Sequence, residues 1–196
     1  MLISSHRVGS VMNEPNDIDA FSAILPSLNL IKDAKIRSDT AEVYMQLLRE
    51  SKWPNLEKQP VASFLKTSGV EHVKAVVEIC TEVAKVLESS HSIKVNMDFL
   101  ISGAILHDAS KLVEYEPTSD GEKATKIGEM GQHTLSCVRL MFSKKMPEEI
   151  IHIVLAHTPK SSVIPKTVES VILYYADCTD YNVLRLVDGK GPDIRK

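Results

Sequence analysis

Ile101-Ser102-Gly103-Ala104-Ile105-Leu106-His107-Asp108-Ala109-Ser110-Lys111 starts with the composition of a buried helix and ends on an imidazole beside a carboxylate, with an ammonium one turn on. Carrying His107 and Asp108 into a protein interior is costly unless something pairs with them. Neutral imidazole and carboxylate both ligate divalent cations, so a metal ion is the first candidate partner. That reading demands further ligands from other elements, pointing the same way.

Outward from this segment the chain reads as helix after helix. Ser68-Gly69 opens a helix that reaches about Ser89, and Met97 starts the one that runs to Lys111. Residues 117–130 are polar and hold Gly121 and Gly128, which predicts a long loop or lid. Residues 131–144 and 147–157 read as two more helices, with Pro147 suited to a first turn and Thr158-Pro159 as a stop. Pro165 begins a last helix that reaches about Val187 and ends at Asp188-Gly189. Toward the N-terminus, Ile18, Phe21, Ile24 and Leu28 are spaced for a short helix broken at Pro26. Ser38-Asp39-Thr40 offers an N-cap for a helix to about Ser51, with Ala41, Tyr44, Met45 and Leu48 on one side. Trp53 to Pro60 reads as a connector and residues 1–17 as a loosely held tail. No window sustains a two-residue alternation. The expected fold class is therefore all-α: a compact bundle of five core helices, with residues 1–60 as tail and accessory helices and 61–190 as the metal-binding domain.

Which polar residues lie on apolar faces decides the site. Val76, Ile79, Val83 and Leu87 recur at helical spacing, and His72 sits one turn upstream on that face, opposite Glu71, Lys74, Glu78 and Lys85. His133 shares a face with Cys137 and Leu140, and His157 follows Ile150, Ile153 and Val154. His152, aligned with Glu148 and Glu149, reads as solvent-facing. Asp177 interrupts the apolar run from Val171 to Ala176, whereas Asp180 falls on a different azimuth and reads as surface. His6 in the tail and His91 in a connection carry no signal. Taken singly, an inward histidine is a core residue bonded to a carbonyl, and Cys80 and Cys137 are small core hydrophobes. Six inward ligand-type groups, without a matching supply of inward Arg or Lys, are another matter. Uncompensated, they would cost as much as the whole stability of a domain. Divalent cations at their centre remove that cost.

Composition narrows the classes further. A net charge of −3 with scattered Lys and Arg provides no surface for nucleic acid. No apolar run approaches a membrane span, and the opening Met-Leu-Ile-Ser-Ser-His-Arg lacks the basic-then-apolar layout of a secretion signal. Three cysteines without framework spacing predict free thiols in a reducing compartment, hence a cytoplasmic location.

The ordered set His72, His107-Asp108, His133, His157, Asp177 resembles the HD superfamily of metal-dependent phosphohydrolases, over residues from about 69 to 187. His72, His107, Asp108 and Asp177 match the general signature, while His133 and His157 look like the subset that holds two metals. The resemblance implies His72, His107 and Asp177 on one ion, His133 and His157 on the other, and Asp108 bridging both. It implies a water or hydroxide between the ions as nucleophile, acting on a phosphate mono- or diester of a nucleotide or other small phosphorylated metabolite. Lys111 matches the lysine that often follows the His-Asp pair and would steady an anionic substrate oxygen; read on its own, it is a helix-end lysine that complements the dipole. Here Ala109-Ser110 stand where family members often carry Ile-Gly, and no Gly-Tyr-Pro motif follows His157.

Two other classes stay open. Six-ligand sites of this kind also look like those of diiron oxygenases, and the ligand set does not distinguish Fe, Mn, Zn, Ni, Co or Mg. A non-catalytic domain that binds metal or senses a ligand is the third. For substrate contacts the candidates are Lys123 and Lys126 on the expected lid and Lys160 just after His157, against the plainer reading of solvated loops. Oligomeric state is left open.

Overall fold

The computed structural model describes residues 16–131 and 133–194. In chain order its helices are α1 (Asn16–Ile24), α2 (Ala34–Glu50), α3 (Gly69–His91), α4 (Met97–Leu106), α5 (Lys111–Glu114), α6 (Lys126–Met130), α7 (Leu135–Ser143), α8 (Glu148–Ala156) and α9 (Val168–Val187), with strands β1 (Tyr115–Thr118) and β2 (Gly121–Ala124) between α5 and α6. Every residue of α4 from Leu100 to Leu106 is buried, and a helix without a solvent face has to be surrounded. It is, by α2, α3, α8 and α9. His6 and most of the expected tail lie outside the described residues.

The N-terminal helices extend the same core rather than forming one of their own. Phe21, Leu25, Leu28, Val43 and Leu47 belong to one buried cluster with Val76, Ile105, Ile153 and Leu173. Gly103 lets α4 and α8 approach closely: a Cβ there would lie 2.4 Å from Ile153 Cγ2. Across the other face of α4, Ser102 Oγ meets Thr40 Oγ1 of α2 at 2.6 Å.

Several boundaries differ from the sequence reading, each for a local reason. α2 starts four residues before Ser38, because Asp33 caps it, accepting hydrogen bonds from Lys35 N and Ile36 N; Thr40 instead turns inward and donates to Ile36 O. α3 begins where expected, with a capping box between Ser68 and Glu71, yet its buried stripe is His72, Val73, Val76, Val77, Cys80 and Ala84, and Val83 is exposed. The helix expected from Met97 to Lys111 breaks after Leu106, where Ala109 N donates to Leu106 O and Lys111 N to Asp108 O, bonds of three-residue reach that tighten the chain. The expected lid is an antiparallel hairpin with Tyr115 opposite Ala124 and Thr118 opposite Gly121, followed by α6. Strands of four residues, Tyr-Glu-Pro-Thr and Gly-Glu-Lys-Ala, leave too short a pattern for alternation to register, and Pro117 tolerates an edge position. Apart from this hairpin the fold is the all-α bundle that the periodicity predicts. α7 starts at Leu135, so His133 precedes it, and α9 starts at Val168 under a Thr167–Ser170 cap. No helix among the described residues is long and apolar enough to cross a membrane.

Candidate metal centre

The helix ends bring four imidazoles to one place. His107 and His157 occupy equivalent positions, each the C-cap of an apolar helix, with Nδ1 donating to the carbonyl three residues back: Ala104 O and Val154 O, both at 2.7 Å. His72 lies in the first turn of α3, and its Nδ1 donates to Asp180 Oδ2 at 2.6 Å. His133, on the turn before α7, donates from Nδ1 to Glu114 Oε2 at 2.7 Å. Carbonyls and carboxylates only accept, so each Nδ1 carries a proton, and in the neutral ring that leaves Nε2 as the lone pair turned to the centre. The four rings follow one another edge to face, His72 to His107, His157 and His133, at 5.2, 5.1 and 5.3 Å between centroids.

Those lone pairs face two carboxylates. Asp108 Oδ2 lies 3.7 Å from His72 Nε2 and 3.5 Å from His107 Nε2, and Asp177 Oδ1 lies 3.1 and 3.9 Å from the same two atoms. Asp108 Oδ1 faces the other way, 3.3 Å from His133 Nε2 and 3.7 Å from His157 Nε2. Donor atoms of His72, His107 and Asp108 fall within 4.8 Å of one another, as do those of Asp108, His133 and His157. His72 Nε2 and His107 Nε2 stand 3.2 Å apart in a buried space, and with both rings neutral they would oppose two lone pairs. Only a cation or a proton between them makes that arrangement tolerable, and the donor set of imidazole and carboxylate suits a divalent metal. The residues present fit a divalent metal.

Charge in the site says the same. Burial works against protonating His72, but its bonds to Asp177 and Asp180 outweigh burial and raise its pKa to about 9. His133 is likewise raised to about 9, with burial overcome by Asp108 and Glu114. In His157 burial wins and the pKa is lowered. Burial also pushes against ionising Asp108, yet the charge of Lys111 and the surrounding imidazoles hold it well below the usual carboxylate range; Asp177 is lowered by His72 and His107 in the same way. The net effect is a buried pocket that draws positive charge.

Lys111 Nζ donates to Asp108 Oδ2 at 2.7 Å and to Val61 O at 3.0 Å, so it is a partner of the carboxylate and not a solvated helix-end lysine. Burial disfavours its charge, but the neighbouring Asp108 more than compensates and its pKa is raised. A cavity of about 360 Å³ opens above the histidines, lined by Lys111, Lys160, Tyr115, Glu122, Tyr181 and the loop from Gln59 to Phe64 among others. Lys123 and Lys126 are not among its walls. Lys123 pairs with Glu116 at 3.0 Å, and both lysines border a separate groove with Lys52 and Arg139. Adjacent strand residues face opposite sides, so Glu122 looks into the cavity and Lys123 away from it.

Two carboxylates were missed by the sequence reading. Asp180 is no surface residue: it stands one turn beyond Asp177 on α9, and that three-residue spacing was the available signal. Glu114 has no such signal, because its position depends on the break after Leu106. His152 is partly buried and accepts from Lys166 N at 3.0 Å.

Residues 69–182, more than half of the chain, match the family model described as HD domain. The dihydroneopterin 2',3'-cyclic phosphate phosphodiesterase of Methanocaldococcus jannaschii is 32% identical over 130 residues, which cover 64% of this chain and 52% of that protein. The chain thus spans about half the length of this relative. No solved structure matches it.

Proposed function

The chain belongs to the HD-domain family, and on that premise we propose that it is a metal-dependent phosphohydrolase cleaving a phosphodiester of a nucleotide or other small phosphorylated metabolite. The observation that carries this reading is the split of Asp108, whose two carboxylate oxygens each face a separate pair of imidazole lone pairs. Asp108 would bridge two cations, with His72, His107 and Asp177 on one and His133 and His157 on the other. Divalent cations held there supply Lewis acidity, lowering the pKa of bound water and offsetting phosphate charge.

The chain's own groups do the rest. Lys111, kept charged by Asp108, presents Nζ to the cavity and stabilises negative charge as it develops on a phosphate oxygen. Lys160 stands at the cavity wall as a second anion contact. A volume of about 360 Å³ suits a nucleotide-sized molecule. The relative's name points to a cyclic ester. For such a substrate water adds to phosphorus, one P–O ester bond breaks, the leaving oxygen takes a proton, and a phosphomonoester is the product. Residues 61–190 make up the catalytic domain in this reading, and the N-terminal helices buttress it.

The test is hydrolysis of 2',3'-cyclic nucleotides, bis(p-nitrophenyl) phosphate and p-nitrophenyl phosphate by chelator-stripped protein resupplied anaerobically with Mn²⁺, Zn²⁺, Fe²⁺, Co²⁺, Ni²⁺ or Mg²⁺. Metal-dependent diester cleavage, lost in Asp108→Asn, supports the proposal. Inactivity with every metal, or turnover that needs dioxygen, overturns it; the latter is what an oxygenase would do.

A further inference from the structure

We infer that Glu114 is the positioning residue on which the second metal position, formed by His133, His157 and Asp108 Oδ1, depends, so that the two positions load unequally. This rests on the two-metal reading above.

Each half of the centre has one histidine locked by its own helix and one held by a distant carboxylate. His107 and His157 are fixed by helix C-termini through Ala104 O and Val154 O. His72 is fixed twice, by its place in α3 and by Asp180. His133 belongs to no helix. What aims its ring is Glu114, whose carboxylate acts as a two-point clamp: Oε2 accepts from His133 Nδ1 at 2.7 Å and Oε1 from Thr134 N at 3.1 Å. The second contact matters because Thr134 has φ of 80°, a left-handed conformation that a β-branched residue adopts only when its surroundings impose it.

Glu114 is itself held firmly. It is 6% exposed, and its carbonyl accepts from Thr125 N at 2.8 Å. A Cβ on Gly128 would lie 2.1 Å from that same oxygen, so α6 rests directly on the Glu114 backbone. The segment that ends in Glu114 begins with Asp108, which puts the bridging ligand and the clamp on one short piece of chain. The second position also has one protein donor fewer than the first, for it lacks a counterpart to Asp177. Fewer donors, one of them on a strained turn, make its affinity hostage to the clamp.

Full-length protein stripped with chelator is titrated with Mn²⁺ and with Zn²⁺ by calorimetry, and bound metal is counted by mass spectrometry after dialysis. The unaltered chain should take up two ions per chain in unequal steps. Glu114→Gln keeps the volume but leaves only one acceptor for two donors; the tighter ion should bind as before and the weaker one about 10–100-fold less tightly. Glu114→Asp keeps the charge but shortens the reach, and should lose the second ion in the same way, which separates position from charge. Asp180→Asn should weaken the tighter ion instead. Unchanged affinity for both ions in Glu114→Gln, or equal loss of both in a variant whose circular dichroism is unaltered, would overturn the inference. A second ion retained at full affinity by Glu114→Asp would do so too. Uptake of fewer than two ions by the unaltered chain would instead sink the two-metal reading, and this inference with it.

Discussion

Replacing Gly103 by Ala tests the helix crossing on which the whole centre hangs. The new Cβ would lie 2.4 Å from Ile153 Cγ2 and 3.1 Å from Ile153 Cβ, whereas apolar carbons rest about 3.5–4.0 Å apart. An overlap of roughly 1 Å cannot be absorbed by rotating a flexible chain end, since both groups sit on packed helices. Overpacking of this kind costs about 1–3 kcal/mol, against which Ala gains about 1 kcal/mol over Gly in helix propensity. With the overlap this large we expect a net loss of about 1–2 kcal/mol, or a fall of roughly 2–8 °C in the thermal midpoint for a chain of this length. The assay is thermal unfolding of chelated protein by circular dichroism for Gly103→Ala, Ile153→Ala and the pair. Ile153→Ala alone should cost about 2–5 kcal/mol, and the pair should recover about 0.5–3 kcal/mol relative to the sum, because the methyl then occupies vacated space. A stabilised Gly103→Ala, or strict additivity in the pair, would show that α4 and α8 do not cross this closely. His107 and His157, whose rings lie 5.1 Å apart at the ends of those helices, would then need another explanation for their approach.

In chelated protein His72 and His133 have pKa values of about 9 against an ordinary 6.5, so their contribution to stability is complete below pH 6.5 and is lost as pH rises through about 9. The thermal midpoint should therefore fall over that window, and saturating Mn²⁺ should remove or reverse the trend, because ligation requires the deprotonated rings; a flat profile without metal would contradict the charge balance described. Lys123→Ala combined with Lys126→Ala should leave KM unchanged, since both lysines border the other groove, while Lys111→Ala should lower kcat by about 10²–10³ with metal content retained; steady-state kinetics on a cyclic nucleotide decide both. Asp33→Ala should cost about 1 kcal/mol in urea unfolding and Ser38→Ala much less, and equal effects would mean that Asp33 is not the cap of α2.

Much of the centre was legible in the chain because helices repeat every 3.6 residues and a polar group on an apolar face breaks that repeat visibly. His72, His107, Asp108, His157 and Asp177 stand out in this way, and the structure brings them together with His133. The start of α3 at Ser68-Gly69 depends only on adjacent residues and was read correctly. The sequence reading placed the cap of α2 at Ser38-Asp39-Thr40, whereas Asp33 holds it and Thr40 is buried against Ser102 within the helix, a contact that no local pattern shows.

Sequence alone thus determined the all-α class and the order in which six imidazole and carboxylate groups of metal-ligand type follow one another, since these follow from local periodicity and from the cost of burying polar atoms. Tertiary structure decided what holds those ligands: Glu114 on His133, Asp180 on His72, Lys111 on Asp108, and the hairpin that turns Lys123 away from the cavity. The first two depend on where separate stretches of chain meet, 19 residues apart for Glu114 and His133 and 108 for His72 and Asp180, while Lys111 reaches Asp108 only because the chain breaks from helix after Leu106. A hydrogen bond is directional and short, so no pattern within one helix can announce a partner that only packing delivers.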